Sequence, residues 1–208
     1  MRRVVLCCSE LQFSRRSMRM GHVDDYVARL TSALSSVDTA SVQAWIDRLS
    51  QARTDGSTVF VCGNGGSAAT ASHFATDLGK GASYGKPTRF RVVALTDSMS
   101  TVTAYANDVG FDVVFAEQLR NLGRPGDVLV TISGSGSSPN IIRAIETARE
   151  LGMTVVALTG FSGGTSGPMA DIHVNVPADH MGRIEDAHMA LCHAVAFSFI
   201  ENDQHTKH

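Results

Sequence analysis

The sequence of 208 residues lacks the features that mark several large classes of protein. Lysine and arginine together (18) do not exceed aspartate and glutamate (20), so no basic excess favours nucleic acid or an anionic membrane. No run approaches the ~20 apolar residues that a membrane span needs. The four cysteines fit neither a spaced disulfide framework nor a paired C-x-x-C zinc site. We therefore expect a cytoplasmic protein without nucleic-acid or membrane partners.

The N-terminal segment imitates a secretory signal for only a few residues. Its apolar run, Val4 to Cys8, stops at Ser9 and is followed by several arginines, whereas a signal core needs ~7–15 apolar residues. We predict that residues 1–20 form a loosely ordered lead. The remainder, 43% hydrophobic and 18% charged over the whole chain, predicts one globular domain at 21–208, including N-terminal helices at 22–54.

Two amphipathic helices are predicted at the start of this domain. Apolar residues recur at spacings of three and four from Val23 to Leu34, and a similar pattern runs from Ser41 to Ala52. Asp38 lies between the two patterns at the position of a helix N-cap. The pair predicts an N-terminal helical hairpin, whose apolar face must be covered by the core domain or by a partner subunit.

The rest of the chain alternates short apolar runs with helix-compatible stretches. The predicted strands are residues 58–62, 90–95, 128–132, 154–159 and 171–176. Apolar strands without polar alternation, each followed by a helix, indicate a parallel sheet covered on both faces. We therefore predict an α/β fold, a three-layer αβα sandwich with a five-stranded parallel sheet, whose ligand lies beyond the carboxyl ends of the strands.

Two loops rich in glycine and serine follow predicted strands and precede predicted helices. The first loop (residues 62–67) reads Cys-Gly-Asn-Gly-Gly-Ser, and the second loop (residues 133–138) reads Ser-Gly-Ser-Gly-Ser-Ser. Helix N-termini and close-packed backbone amides bind anions, so the two loops predict a phosphate site. Neither loop has a Walker lysine or the dinucleotide-binding pattern, which disfavours nucleotides. Either loop taken alone could also be a simple turn.

Two histidines and two carboxylates are spaced so as to meet on helices. His73 and Asp77 are four residues apart, and Glu185 and His193 are eight apart, so each pair shares a helix face. Two nitrogen and two oxygen ligands would suit zinc or another divalent metal. Each histidine could instead be an ordinary packed or surface residue, and His188 reaches part of the same face.

The ordered combination of these segments resembles the phosphoheptose isomerases of the SIS (sugar isomerase) superfamily. The likeness runs from about residue 23 to 200. The matching segments are residues 62–67 with His73, 107–115, 132–138, 158–171, and 183–188 followed by His193.

The resemblance implies an isomerase that converts D-sedoheptulose 7-phosphate to D-glycero-D-manno-heptose 7-phosphate through an enediolate. It also implies a homotetramer with active sites shared between subunits, one zinc ion per subunit and no redox cofactor. The substrate-binding residues that it implies are Asn64, Gly65, Gly66, Ser67, Asn107, Asp108, Ser133, Gly134, Ser135, Ser138 and Glu185. The implied metal ligands are His73, Asp77, Glu185 and His193, of which Asp77 and His193 would also be catalytic.

Three positions depart from the family pattern. Asp77 replaces a glutamate, which shortens the arm of a candidate base by about 1 Å. Glu185 replaces a glutamine and adds a negative charge that favours a bound cation, and Gly134 replaces a threonine. Two alternatives stay open, namely an isomerase of another phosphosugar and a non-catalytic SIS-domain adaptor of a replication initiator.

Overall fold

A computed structural model describes residues 21–202, so the lead predicted at 1–20 lies outside the described residues. The helices within this range are α1 (His22–Ser35), α2 (Thr39–Asp55), α3 (Gly66–Thr76), α4 (Met99–Asp108), α5 (Ala116–Leu122), α6 (Pro139–Glu150) and α7 (Met181–Asn202). The strands are β1 (Thr58–Gly63), β2 (Arg91–Ala94), β3 (Val128–Ser133), β4 (Thr154–Gly160) and β5 (Ile172–Val176). Short 3-10 turns occupy Phe111–Val113 and Gly167–Met169, and one π-helical turn occupies Asp77–Gly81.

The five strands form one sheet in the order β2-β1-β3-β4-β5, and every neighbouring pair is parallel. In the central register Val61 lies beside Val130, which lies beside Val156. From β1 the chain moves outward to β2 and then returns to place β3 on the other side of β1. The topological switch point therefore falls between β1 and β3, where this class of sheet binds ligands.

Each face of the sheet carries its own hydrophobic core, which confirms the three-layer prediction. One core joins α2, α3 and α7 to the sheet and includes Trp45 and Phe74, whose rings lie 5.2 Å apart. The other joins α5 and α6 to the opposite face and includes Leu119 and Ile145. Burial on both faces explains why the central strands β1, β3 and β4 lack polar alternation, whereas the edge strands β2 and β5 are partly exposed. Each fully buried large side chain contributes about 1.5–3 kcal/mol to stability.

The two N-terminal helices pack on the core domain. Asp38 caps α2, because its carboxylate accepts hydrogen bonds from the backbone N–H groups of Ala40 and Ser41. α2 packs against β1, β5 and α7, whereas α1 packs against α7. The outer part of α1 remains open, since Val23 is 69% and Val27 53% exposed.

The length and hydropathy of the helices indicate whether any of them could span a membrane. Within residues 21–202, no helix combines the length and the apolar character required to cross a bilayer.

Candidate functional site

The first loop turns sharply from β1 into α3. A side chain at Gly63 would place its Cβ 2.6 Å from the Ser67 carbonyl oxygen and 2.9 Å from that of Ile132, closer than real atoms approach. Gly65 precedes α3 with φ +55°, a conformation that favours glycine. The turn leaves the first N–H groups of α3 at the carboxyl edge of β1, beside the switch point.

The second loop joins β3 to α6 and is braced by the loop after β4. Ser166 N–H donates to the Gly136 carbonyl at 2.8 Å, and Gly160 N–H donates to the Gly134 carbonyl at 2.9 Å. Ser138 is the N-cap of α6, yet its hydroxyl makes no capping hydrogen bond. Pro139 has no N–H, and the Ile141 N–H donates to the Ser138 carbonyl at 3.0 Å, so the Ser138 hydroxyl and the Asn140 N–H are the first-turn donors available to an anion.

A pair of side-chain amides ties the two loops together. Asn64 Nδ2 donates to Asn140 Oδ1 at 2.9 Å, and Asn140 Nδ2 donates to Asn64 Oδ1 at 2.8 Å. Asn140 is the second residue of α6 and is only 2% exposed. Sequence reasoning placed Asn64 at the site but missed Asn140, because a helix-start pattern does not reveal which side chain is buried.

His73, Asp77 and His193 converge at the junction of α3 and α7. The Nε2 atoms of His73 and His193 are 2.9 Å apart, and Asp77 Oδ2 lies 3.3 Å from the first and 3.8 Å from the second. One ligand atom from each residue falls within 4.8 Å of the others. The expectation that His73 and Asp77 share a face is met, and α7 adds His193.

Asp77 stands where α3 gives way to the π-helical turn. The Ala82 N–H donates to the Asp77 carbonyl at 2.8 Å, the wider spacing of a π-helix. Such turns within helices occur frequently at functional sites. Oδ2 of Asp77 is buried and accepts no hydrogen bond, although imidazole nitrogens lie nearby.

This orphaned oxygen supports a metal site. A buried carboxylate oxygen without a hydrogen-bond donor is unfavourable unless a cation or a proton satisfies it. Two imidazole nitrogens and one carboxylate oxygen form a donor set that zinc accepts, with further positions left for substrate or water. His73, Asp77 and His193 therefore fit a divalent metal ion.

Glu185 lies at the first loop, apart from the other three candidate metal ligands. A Cβ at Gly66 would lie 3.0 Å from both carboxylate oxygens of Glu185, which places that carboxylate against the N-terminus of α3. The helix dipole favours a negative charge there. Glu185 does not belong to the compact group formed by His73, Asp77 and His193 among residues 21–202. The carboxylate therefore lies at the first loop.

The remaining predicted residues lie on α4. Asn107 and Asp108 end this helix with exposed side chains, and Asn107 Nδ2 donates to Asp108 Oδ1 at 2.8 Å. In the described part of the chain no hydrogen bond links either residue to the two loops. The structure therefore does not bring them to His73 within one subunit.

Buried groups next to the site hold it together. His188 Nε2 donates to the Thr159 carbonyl at 3.0 Å and anchors α7 to the end of β4. Burial lowers the pKa of His188, so this imidazole is neutral at pH 7. Burial likewise raises the pKa of the Cys62 and Cys192 thiols, which keeps both protonated and unsuited to metal binding.

A parallel sheet with serine-rich loops at its switch point defines the class of this protein. The family model for the SIS domain matches residues 24–160, and the chain belongs to the SIS domain family. Within that class it groups with the phosphoheptose isomerases. It is 47% identical over 150 residues to the phosphoheptose isomerase of Mycobacterium tuberculosis, which covers 72% of this chain and 76% of that protein.

Solved structures agree with this placement. The phosphoheptose isomerase of Neisseria gonorrhoeae superimposes with a TM-score of 0.79 at 37% identity, covering 86% of this chain and 95% of that one. The enzyme of Francisella tularensis gives a TM-score of 0.79 at 31% identity, with coverages of 86% and 94%. The resemblance drawn from the sequence motifs is therefore confirmed.

Proposed function

We propose that the protein interconverts D-sedoheptulose 7-phosphate and D-glycero-D-manno-heptose 7-phosphate. The observation that carries the proposal is the grouping of His73, Asp77 and His193 beside two loops at the switch point. An aldose–ketose isomerisation needs a phosphate grip, a base, an acid and a means to stabilise enediolate oxygens. The site supplies residues suited to each of these tasks.

The second loop is the phosphate site in this proposal. The dipole of α6, the uncapped hydroxyl of Ser138, and the hydroxyls of Ser133 and Ser135 suit a phosphate monoester. The carboxylate of Glu185 makes the N-terminus of α3 a poor place for a dianion. The first loop, through residues 64–67, therefore receives the sugar hydroxyls.

Asp77 and His193 divide the proton transfers. Asp77 moves the carbon-bound proton between C1 and C2, and His193 handles the proton on oxygen. Asp77 has two carboxylate oxygens, so Oδ2 can face the imidazoles while the other is left for the proton. Each such acid–base group contributes typically 10²–10⁴-fold to rate. The phosphate contacts lie away from the reacting carbons and supply positioning energy.

His73, Asp77 and His193 would hold zinc, and Glu185 would come to the metal only with a change of side-chain position. With His193 Nε2 bound to the metal, a water molecule would replace His193 as the carrier of the proton on oxygen. A bound zinc ion would polarise the carbonyl and stabilise the enediolate oxygens. Isomerisation transfers no net electrons, so a redox cofactor is not required.

We further propose a homotetramer of single SIS domains (residues 21–208) in the cytoplasm. The exposed valines of α1 and the exposed Met99 of α4 support burial against other subunits. Asn107 and Asp108 would then reach the active site of a neighbouring copy. Two buried free thiols, Cys62 and Cys192, fit a reducing compartment.

The test is turnover of D-sedoheptulose 7-phosphate by protein whose metal content has been measured, beside His193→Ala. We expect turnover by the wild type and a loss of at least about 10²-fold in the variant. The exposed His22→Ala provides a control that should retain full activity.

The other outcomes test the role of His193, the identity of the substrate and the enzymatic activity itself. Full activity in His193→Ala would show that His193 is not catalytic, and the proposed isomerase function would still stand. Turnover of a pentose or hexosamine phosphate, but not of the heptose phosphate, would show that the enzyme isomerises that other phosphosugar. A metal-loaded wild type that is inert on all three would overturn the enzyme proposal.

A further inference from the structure

We infer that Asn140, which has no place in the proposed chemistry, is a positioning residue that holds Asn64 in its substrate-binding orientation. The inference rests on the proposed function, because it assigns Asn64 to the sugar. It adds a residue outside both loops to the machinery of the site.

The geometry of the amide pair supports this role. Both hydrogen bonds, at 2.9 and 2.8 Å, are of normal length, and each amide is at once donor and acceptor. An amide group rotates freely about its last torsion unless partners fix it, and here two bonds fix both groups. Each amide keeps one N–H and one lone pair. Asn140 is buried, whereas Asn64 is partly exposed and can present its remaining N–H and lone pair to a ligand.

The pair also spans the switch point. Asn64 follows β1 and Asn140 follows β3, and these two strands are neighbours in the sheet. The chain diverges in opposite directions from them, so no local backbone connection relates the two loops. Among residues 21–202, this amide pair provides the side-chain hydrogen bonds between the first loop and α6. The amide pair therefore fixes the distance between the first loop, which binds the sugar in the proposed function, and the second loop, which binds the phosphate.

The substitution Asn140→Asp offers a reversible break in the pair. The introduced carboxylate has nearly the same shape, but when ionised it cannot donate to Asn64 Oδ1, and two oxygens then face each other. When protonated, the carboxyl again has one donor and one acceptor and can restore both hydrogen bonds. A purely steric role for Asn140 would not respond to this protonation.

The experiment measures KM and kcat for D-sedoheptulose 7-phosphate in four forms of the metal-loaded protein. These are the wild type, Asn140→Asp, Asn140→Ala and Asn64→Ala. We expect each substitution to raise KM about tenfold, the effect of one lost hydrogen bond, with a smaller change in kcat. Lowering the pH should move the KM of Asn140→Asp toward the wild-type value, while the ratio for Asn140→Ala stays constant.

A double-mutant cycle tests the coupling directly. If Asn140 acts through Asn64, Asn64→Ala combined with Asn140→Ala should raise KM no more than Asn64→Ala alone. Ile145→Val, a core substitution on the same helix, controls for destabilisation and should leave KM unchanged. The inference is overturned if the two effects multiply, or if Asn140→Asp shows no recovery at low pH while Asn140→Ala is impaired. An inert wild type would instead reject the proposed function.

Discussion

The Nε2 atoms of His73 and His193 lie 2.9 Å apart, although 120 residues separate them in the chain. At that distance one ring nitrogen donates its proton to the other, or both turn their lone pairs to a cation. The ring centroids are 4.9 Å apart and the ring planes are inclined by 71°. Asp77 Oδ2 adjoins both rings, so this contact between α3 and α7 brings together the three residues of the proposed chemistry.

Asp77→Asn should separate catalysis from stability. We expect kcat/KM to fall by about 10²–10⁴-fold, because the amide cannot accept a carbon-bound proton. The free energy of unfolding of the metal-free protein should not fall, because the buried oxygen accepts no hydrogen bond that the change would break. Kinetics and urea unfolding check both parts, with the exposed Asp47→Asn as control. Full activity in Asp77→Asn would exclude Asp77 as the base.

Zinc should stabilise the protein through the three-residue group. A ligand that binds only the native state at 100 times its Kd adds about 2.7 kcal/mol to the free energy of unfolding. We therefore expect chelation to lower Tm and zinc to restore it. His73→Gln should abolish the response, because one of its three ligands is lost. An equal rise in Tm for His73→Gln on zinc addition would place the metal elsewhere.

Stability should decline on mild acidification because of one buried and one partly buried histidine. Burial lowers the pKa of His188 and of His173 below the ordinary value of 6.5. Below pH 6.5 these two side chains are therefore protonated in the unfolded chain before they are protonated in the folded chain. Stability is thus fully present above pH 6.5 and is lost as the pH falls toward the folded-state pKa. Thermal unfolding of metal-free protein between pH 8 and 5 measures this loss.

His188→Gln tests the contribution of His188, the more deeply buried of the two histidines, to this pH dependence. Glutamine retains an N–H for the Thr159 carbonyl but does not titrate, so the variant should lose less Tm between pH 8 and 5 than the wild type. The exposed His22→Gln should leave the slope unchanged. Equal slopes in His188→Gln and wild type would mean that His188 does not resist protonation.

Two glycines with positive φ should respond differently to alanine. At Gly56 (φ +70°) an added Cβ meets open space, so Gly56→Ala costs about 1–2 kcal/mol of backbone strain alone. At Gly136 (φ +61°) the Cβ would overlap the Gly163 carbonyl oxygen, which adds about 1–3 kcal/mol. Gly136→Ala should also raise KM, because the second loop must move. Equal free energies of unfolding in urea for the two variants would show that the second loop relieves this overlap without a loss of stability.

Local sequence patterns were sufficient for the elements of the fold. The period of Val23 to Leu34 and the Asp38 cap predicted α1 and α2, and the structure places the helices at His22–Ser35 and Thr39–Asp55. Unbroken apolar runs predicted five buried parallel strands. These features depend on burial and hydrogen bonding within a few residues, which the sequence records directly. The π-helical turn at Asp77 has no such signal, because α and π turns share the same composition.

Contacts between distant residues were decided by the tertiary structure alone. Spacing put His73 beside Asp77 but could not show that His193 joins them, or that Glu185 packs on Gly66. The pairing of Asn64 with Asn140 follows from the strand order β1-β3, which brings two loops 76 residues apart to one crevice. Helix periodicity states which side chains share a face, whereas helix packing on the sheet determines which faces meet. The sequence therefore determined the layers and the loops, and the packing of α3, α6 and α7 determined the site.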